Sequence, residues 1–227
     1  GVAGEGQVEK LALVVVHVFS PASAAGRYHV RMRIVTLNAN GIRSAAAKGA
    51  FTWLAKQDAD VICLQETKAH KGDVDIKQLD DLGYHHDWFS AQKKGYSGVA
   101  IFSKIKPDAV KIGTGHEVSD SEGRVLEMQF GDVKLINAYF PSGTSGDIRQ
   151  TYKYQWLAEM HEYLEEQKKK NPKIILCGDY NIAHREIDIH DPKGNKNSSG
   201  FLPEEREWMT SFLNHGWVDT FREFHTE

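Results

Sequence analysis

At 227 residues with 41% hydrophobic content, the chain is long enough to bury one full core as a single domain. Charged residues make up 26% and the formal net charge is −3. That balance excludes a uniformly basic nucleic-acid coat protein, but not an enzyme that grips a polyanion through a local patch and holds metal with carboxylates.

In chain order, the first stretch differs from the rest. Leu11–Phe19 is an apolar run, followed by the small-residue stretch Pro21–Gly26, in which Ala22–Ala24 has the form of a signal-peptidase site. Against a leader stand Glu5 and Glu9, with Lys10 as the accompanying cation, and a start at glycine. The run is also too short to span a membrane as a helix. Three readings stay open: upstream read-through with Met32 as the initiator, which the flanks favour, a targeting segment, or a native extension. Residues 1–31 are therefore set outside the expected fold.

From Met32 the pattern is regular. Arg33–Leu37 is a short apolar strand, and Ala45–Gln57 is alanine-rich with Phe51 and Leu54 at helical spacing. Val61–Leu64 is a buried strand ending in Gln65 and Glu66, and Ser97–Ser103 is another strand. Leu126, Met128 and Phe130 alternate with Glu127 and Gln129, and the pair Gly131 and Asp132 separates them from the strand Val133–Phe140. This hairpin signal makes the sheet at least partly antiparallel and argues against a purely parallel doubly wound fold. Trp156, Leu157, Met160, Tyr163 and Leu164 predict a helix from about Tyr152 to Lys170, stopped by Pro172. Ile174–Cys177 then forms a strand ending in Gly178–Asn181, and a last helix covers Pro203–Asn214 with Gly216 as its stop. Helix, buried strand and carboxylate thus recur, at Glu66 and at Asp179, in an α/β chain with a mixed sheet or sheets. Cys63 and Cys177 lie inside the two apolar strands, the usage of a reducing compartment, with one bridge between them left open.

The pairs Asn38 with Asn40 and Asp179 with Asn181 each place two polar side chains on one face of an extended segment, just where a core strand ends. With Glu66 they suit a hard, oxygen-ligated cation. Singly, each pair reads more simply as a turn or helix cap. There is no phosphate-binding glycine loop, no nucleophile elbow, no zinc site, and Asp188–Gly194 has the wrong acidic spacing for a calcium loop. The segment Lys193–Gly200 is polar and cationic, either a solvated loop or a loop that contacts phosphate.

An ordered series of segments, Asn38–Arg43, Leu64–Lys68, Gly95–Val99, Asn137–Pro141, Gly178–His184 and Pro192–Asn195, resembles the exonuclease III/AP endonuclease family across Met32–Glu227. Phe201–Trp208 is similar to its bacterial branch. The resemblance implies a four-layer α/β sandwich of two facing mixed sheets, of the DNase I-like kind, acting in the cytoplasm as a monomer. It implies a Mg²⁺-dependent DNA phosphodiesterase, with Mn²⁺ as substitute, acting on duplex DNA that carries abasic sites, nicks or blocked 3′ ends. By position it makes Asn38, Glu66, Asp179 and Asn181 the metal group and Asp179 the residue that activates water. Asn181 then holds that acid and the phosphate, and Tyr139 donates to a phosphate oxygen. Arg43, Lys48, Lys68, Tyr96, Arg149, Lys193 and Asn195 fall at or near DNA-contact positions.

The resemblance also implies closing strands and a terminal Asp-His pair, which have no counterpart before Glu227. His184 and His190 are not substitutes, because each sits in its own matched loop. Asn40 stands where some relatives carry aspartate. Two other functions are compatible with the scaffold. A phosphoinositide phosphatase or sphingomyelinase on the same scaffold is disfavoured by the Lys193–Lys196 and Asn40–Arg43 segments. A non-catalytic regulator is disfavoured by the presence together of Glu66, Asp179 and Asn181.

Overall fold

The structure, a computed structural model, describes residues 11–19, 29–171 and 173–225. The chain divides into two compact units, Gly1–Ala138 with Lys173–Asp179, and Tyr139–Pro172 with Tyr180–Glu227.

The first unit holds two sheets. One contains β1 (Leu11–Phe19), β2 (His29–Asn38), β3 (Val61–Gln65), β4 (His85–Phe89) and β5 (Val99–Ser103), in the order β1-β2-β3-β5-β4. Strands β2 and β3 run parallel, and the other neighbours antiparallel. The second has the order of its sequence, β6 (Ala109–Ile112), β7 (Val125–Phe130), β8 (Val133–Tyr139) and β9 (Ile174–Asp179). Within this unit β9 lies against β2 and β3, and β7 against β4 and β5, so the sheets face each other. The expected α/β class with two facing sheets, the first of them mixed, is the one observed.

Strand parity decides which residues face which layer. Val35 and Leu37 of β2, with Ile62 and Leu64 of β3, pack on Ile42, Phe51, Leu54 and Leu79 from the helices α1 (Ile42–Ala47), α2 (Ala50–Lys56) and α3 (Lys77–Asp80). The alternate residues Thr36 and Gln65 point to the second sheet, where Gln65 Nε2 donates to Thr36 Oγ1 (2.9 Å) and Asn137 Oδ1 (2.7 Å). Asn137 in turn donates to the carbonyls of Leu64 and Ala100, each at 3.0 Å. A buried polar network with its donors paired ties β3, β5 and β8 together immediately before Glu66.

Several expectations are corrected here. The single helix expected over Ala45–Gln57 is two, because Gly49 at φ 87° ends one and starts the other. The first family-like strand starts at His29 instead of Arg33, and Ser97 and Gly98 are left-handed residues before β5 instead of part of it. The strand His85–Phe89 has no counterpart among the expected elements, because its alternation is carried by His, Asp and Trp. The hairpin at Gly131 and Asp132 is as expected, with Gly131 at φ 57°. Both cysteines are free and buried. Burial and the adjoining Cys177 thiol raise the pKa of Cys63, which keeps it protonated and inert.

Residues 1–31, set outside the fold on sequence, supply β1, which pairs antiparallel with β2 from Leu11 opposite Leu37 to Phe19 opposite His29. The valine-rich run that fails as a membrane helix has high strand propensity and forms its ladder along the edge of β2. The signal-peptidase-like Ala22–Ala24 lies outside the described residues. A chain starting at Met32 is expected to lose this ladder, melt several degrees lower and self-associate more readily through the bared edge, while its nuclease rate per folded molecule stays within about twofold. Thermal melts and light scattering of the two chains check this. An unchanged melting temperature would show that the β1 pairing contributes nothing.

In the second unit, α5 (Asp147–Lys170) buries Lys153, Trp156, Leu157, Met160, Tyr163, Leu164 and Gln167, a stripe at helical spacing. It begins a turn and a half before the expected Tyr152, and the expected stop at Pro172 lies outside the described residues. The helix α7 (Pro203–Asn214) matches its expected bounds and packs on α5. Phe140 sits edge-on to Trp156 at 4.6 Å, and Trp208, Phe212 and Trp217 stack in series at 5.1 and 4.8 Å. No helix among the described residues is long and apolar enough to cross a membrane.

Candidate functional site

In the first unit the ends of β2, β3 and β9 bring the predicted acidic group together. Asn38, on the same face of β2 as Thr36, donates from one amide nitrogen to Glu66 Oε2 at 3.0 Å and to Asp179 Oδ2 at 2.6 Å. Its Oδ1 accepts the Asn40 amide at 2.8 Å, which fixes that orientation. As placed, Asn38 joins the two carboxylates through one amide nitrogen. Lys68 lies 2.8 Å from Glu66 Oε1 and from Asn40 Oδ1, so a cationic head already faces the paired acids. Two converging carboxylates drawn to positive charge form a donor set of hard oxygens that fits a divalent cation.

The backbone around these side chains is unusual. Asn40, Glu66 and Lys68 all have φ between 42° and 53°, the left-handed region that non-glycine residues seldom adopt. The bonds Gly41 N to Glu66 O (2.8 Å), Ile42 N to Thr67 O (2.9 Å) and Lys68 N to Ser97 O (2.8 Å) hold that shape. Strain held in this way concentrates where side chains must point into one place.

Asn181 and Tyr139 belong to the second unit. Tyr139 closes β8 and is half-buried. Asn181, at φ 49°, donates from Nδ2 to the Phe140 carbonyl at 2.8 Å. Its own carbonyl accepts from Lys153 Nζ at 2.7 Å, and Lys153 is paired with Glu205 at 2.6 Å with both side chains fully buried. His184 lies with Nε2 2.9 Å from Thr210 Oγ1, and its pKa is lowered by burial and then by Arg185. Its ring is thereby engaged with Thr210 inside the second unit.

The expected DNA contacts divide by environment. Arg43 and Lys48 are exposed on α1 and at its end. Tyr96 lies under Lys93 (5.4 Å) and Arg124 (5.9 Å) and accepts a hydrogen bond from Arg124 at 3.2 Å. Lys68 is engaged with Glu66, as described. In the second unit Arg149 covers the Tyr152 ring at 4.5 Å. Lys193 is exposed on α6 (Pro192–Asn195), whereas Asn195 donates to the carbonyls of His190 and Asp191 at 3.0 Å and so shapes its own loop. Sequence reasoning missed Arg124, Lys153 and Glu205. The signal for Lys153 was its place one turn before Trp156 on the apolar stripe of α5. Glu205 stood unremarked inside Phe201–Trp208.

Residues 35–226 match the Endonuclease/Exonuclease/phosphatase family. An exodeoxyribonuclease of Bacillus subtilis is 45% identical over 192 residues, 84% of this chain and 75% of its own length. A DNA repair nuclease of Danio rerio is 40% identical over 86% of this chain, which spans only 64% of that protein. Among solved structures, an AP endonuclease from Archaeoglobus fulgidus has a TM-score of 0.76 at 32% identity, over 86% of this chain and 74% of that one. A 3′ phosphatase from Neisseria, bound to a product DNA hairpin, has a TM-score of 0.78 at 29% identity, over 86% and 76% of the two chains. The strands that end in Glu66 and Asp179 fall inside the matched region and β1 falls outside it; the chain belongs to the Endonuclease/Exonuclease/phosphatase family.

Proposed function

We propose that this chain hydrolyses phosphodiester bonds in DNA, as a Mg²⁺-dependent 3′–5′ exodeoxyribonuclease and abasic-site endonuclease of DNA repair, working as a monomer in the cytoplasm. The observation that carries the reading is the single Asn38 amide shared by Glu66 and Asp179 at 3.0 and 2.6 Å, which sets two acids side by side. The similarity to the Bacillus exodeoxyribonuclease and to the Archaeoglobus AP endonuclease supports it, and the family is one of metal-dependent nucleases.

Glu66 and Asp179 would hold the cation, which when bound supplies positive charge to the phosphoryl oxygens. The remaining roles fall to the protein's own groups. Asp179 takes the proton of the attacking water on a carboxylate oxygen, with Asn38 fixing the direction of that carboxylate. Tyr139 and Asn181 donate to phosphate oxygens, and Arg43, Lys48 and Lys193 hold the flanking backbone. Lys68, 2.8 Å from Glu66 Oε1, helps to aim that carboxylate at the site.

Hydrolysis of abasic, nicked and 3′-phosphate duplexes is expected to stop in excess chelator and to return with Mg²⁺ or Mn²⁺. Replacing Glu66 with alanine removes a hard ligand and is expected to raise the Mg²⁺ needed for half-maximal rate by about 10- to 100-fold, the range seen even for groups one shell further out. Metal titrations of the nuclease rate measure this. Full activity in chelator would remove the proposal.

A further inference from the structure

The second unit contains a buried charge that lies outside the family-matched motifs. Lys153 belongs to the buried stripe of α5 and is fully enclosed, where an apolar residue would continue the pattern of Trp156, Leu157 and Met160. A buried ammonium persists only when its donors are used. One goes to Glu205 Oε1 at 2.6 Å and another to the carbonyl of Asn181 at 2.7 Å. Glu205 is equally engaged: Oε2 accepts from Gly200 N (2.6 Å) and Leu202 N (3.0 Å), and Oε1 from Gln150 Nε2 (3.1 Å) and Ser199 Oγ (3.4 Å).

These bonds converge on one loop. Ala183 N donates to Gly200 O at 2.8 Å, and a Cβ on Gly200 would stand 3.2 Å from Asn181 O, so the Glu205-anchored turn backs directly onto Asn181. Asn181 is left-handed at φ 49°, with its side chain pinned to Phe140 O. The buried ammonium fixes the backbone from which that side chain projects, and the bond to Phe140 O fixes its direction. Were stability the sole requirement, an apolar pair would serve as well.

We infer that Lys153, held by Glu205, is a positioning residue that acts through Asn181, and this rests on the reading of Asn181 as a phosphate-binding group. The experiment uses the full chain with Mg²⁺ and an abasic duplex. Lys153→Met is expected to lower kcat by about 10- to 100-fold, the cost of a small misplacement, with KM and duplex affinity within about twofold. Lys153→Arg, which keeps the cation, is expected to recover most of the loss. Added to Asn181→Ala, Lys153→Met is expected to cost less than about twofold more, because both remove the same contribution. Additive losses would overturn the inference. So would an unchanged kcat in Lys153→Met when Asn181→Ala is impaired, which leaves the site reading standing. An undiminished rate in Asn181→Ala would instead remove the reading of the site itself, and the inference with it. If Lys153→Met fails to fold, the double replacement Lys153→Met with Glu205→Leu leaves no lone buried charge. The same kcat loss there supports the inference. A normal kcat, or no cooperative melt in either variant, would make the pair purely structural and overturn it.

Discussion

Replacing Asp179 with asparagine is expected to slow hydrolysis by about 10²- to 10⁴-fold, the usual contribution of a placed general base, while duplex affinity changes by no more than a few fold. The substitution is nearly isosteric, and the carboxamide oxygen of the new side chain could still accept the 2.6 Å bond from Asn38. What disappears is the basic oxygen and its negative charge. Arg43, Lys48 and Lys193, which would grip the backbone, are untouched and exposed. Single-turnover rates and equilibrium binding on the same abasic duplex separate the two quantities. Turnover near that of the parent would show that another group activates the water.

The second large effect concerns the residue before it. Gly178 has φ 147°, and a Cβ there would overlap the carbonyl oxygen of Ala138 and stand 2.8 Å from its carbonyl carbon. The obstruction is backbone inside β8, with no flexible side chain to move aside. Gly178→Ala is expected to cost about 3 kcal/mol or more, the upper part of the range for overpacking. In a chain of this size that corresponds to a melting temperature lower by roughly 6–12 °C. Gly49, at φ 87° with open space around its Cβ position, is the control, and its alanine variant is expected to lose only about 1 kcal/mol. A Gly178→Ala chain melting within about two degrees of the parent would mean that β8 and β9 separate easily.

Periodicity reports which residues of an element are apolar and is silent on what they meet. Strands β3, β5, β7, β8 and β9 were legible because their apolar residues run together or alternate with polar ones in the sequence. The helix α7 was legible to the residue because proline and glycine bracket it. Glu66 and Asp179 stood out as carboxylates at strand ends, but nothing in their spacing says that one asparagine amide joins them. That fact depends on the parallel pairing of β2 with β3 and on the facing sheet that supplies Asp179. Lys153 was hidden for the opposite reason: a lysine on a long helix reads as solvated, and only the closed surroundings reveal the charge as enclosed. The pairing of β1 with β2 was not legible because an apolar run carries no record of the partner edge it will find.

The register of β2 against β3, with Asn38 opposite Gln65, also separates two kinds of genetic change. Substitutions at Val35 or Leu37 alter packing against α1 to α3 and leave the direction of Asn38 as it is. The gain or loss of one codon between Ile34 and Leu37 is different. It would exchange the two faces of the strand at its end, turning Asn38 toward the helices and an aliphatic side chain toward Asp179. The segment Ile34–Leu37 should therefore tolerate point variation far better than length variation, and lineages carrying the site should keep its residue count while its hydrophobic identities drift.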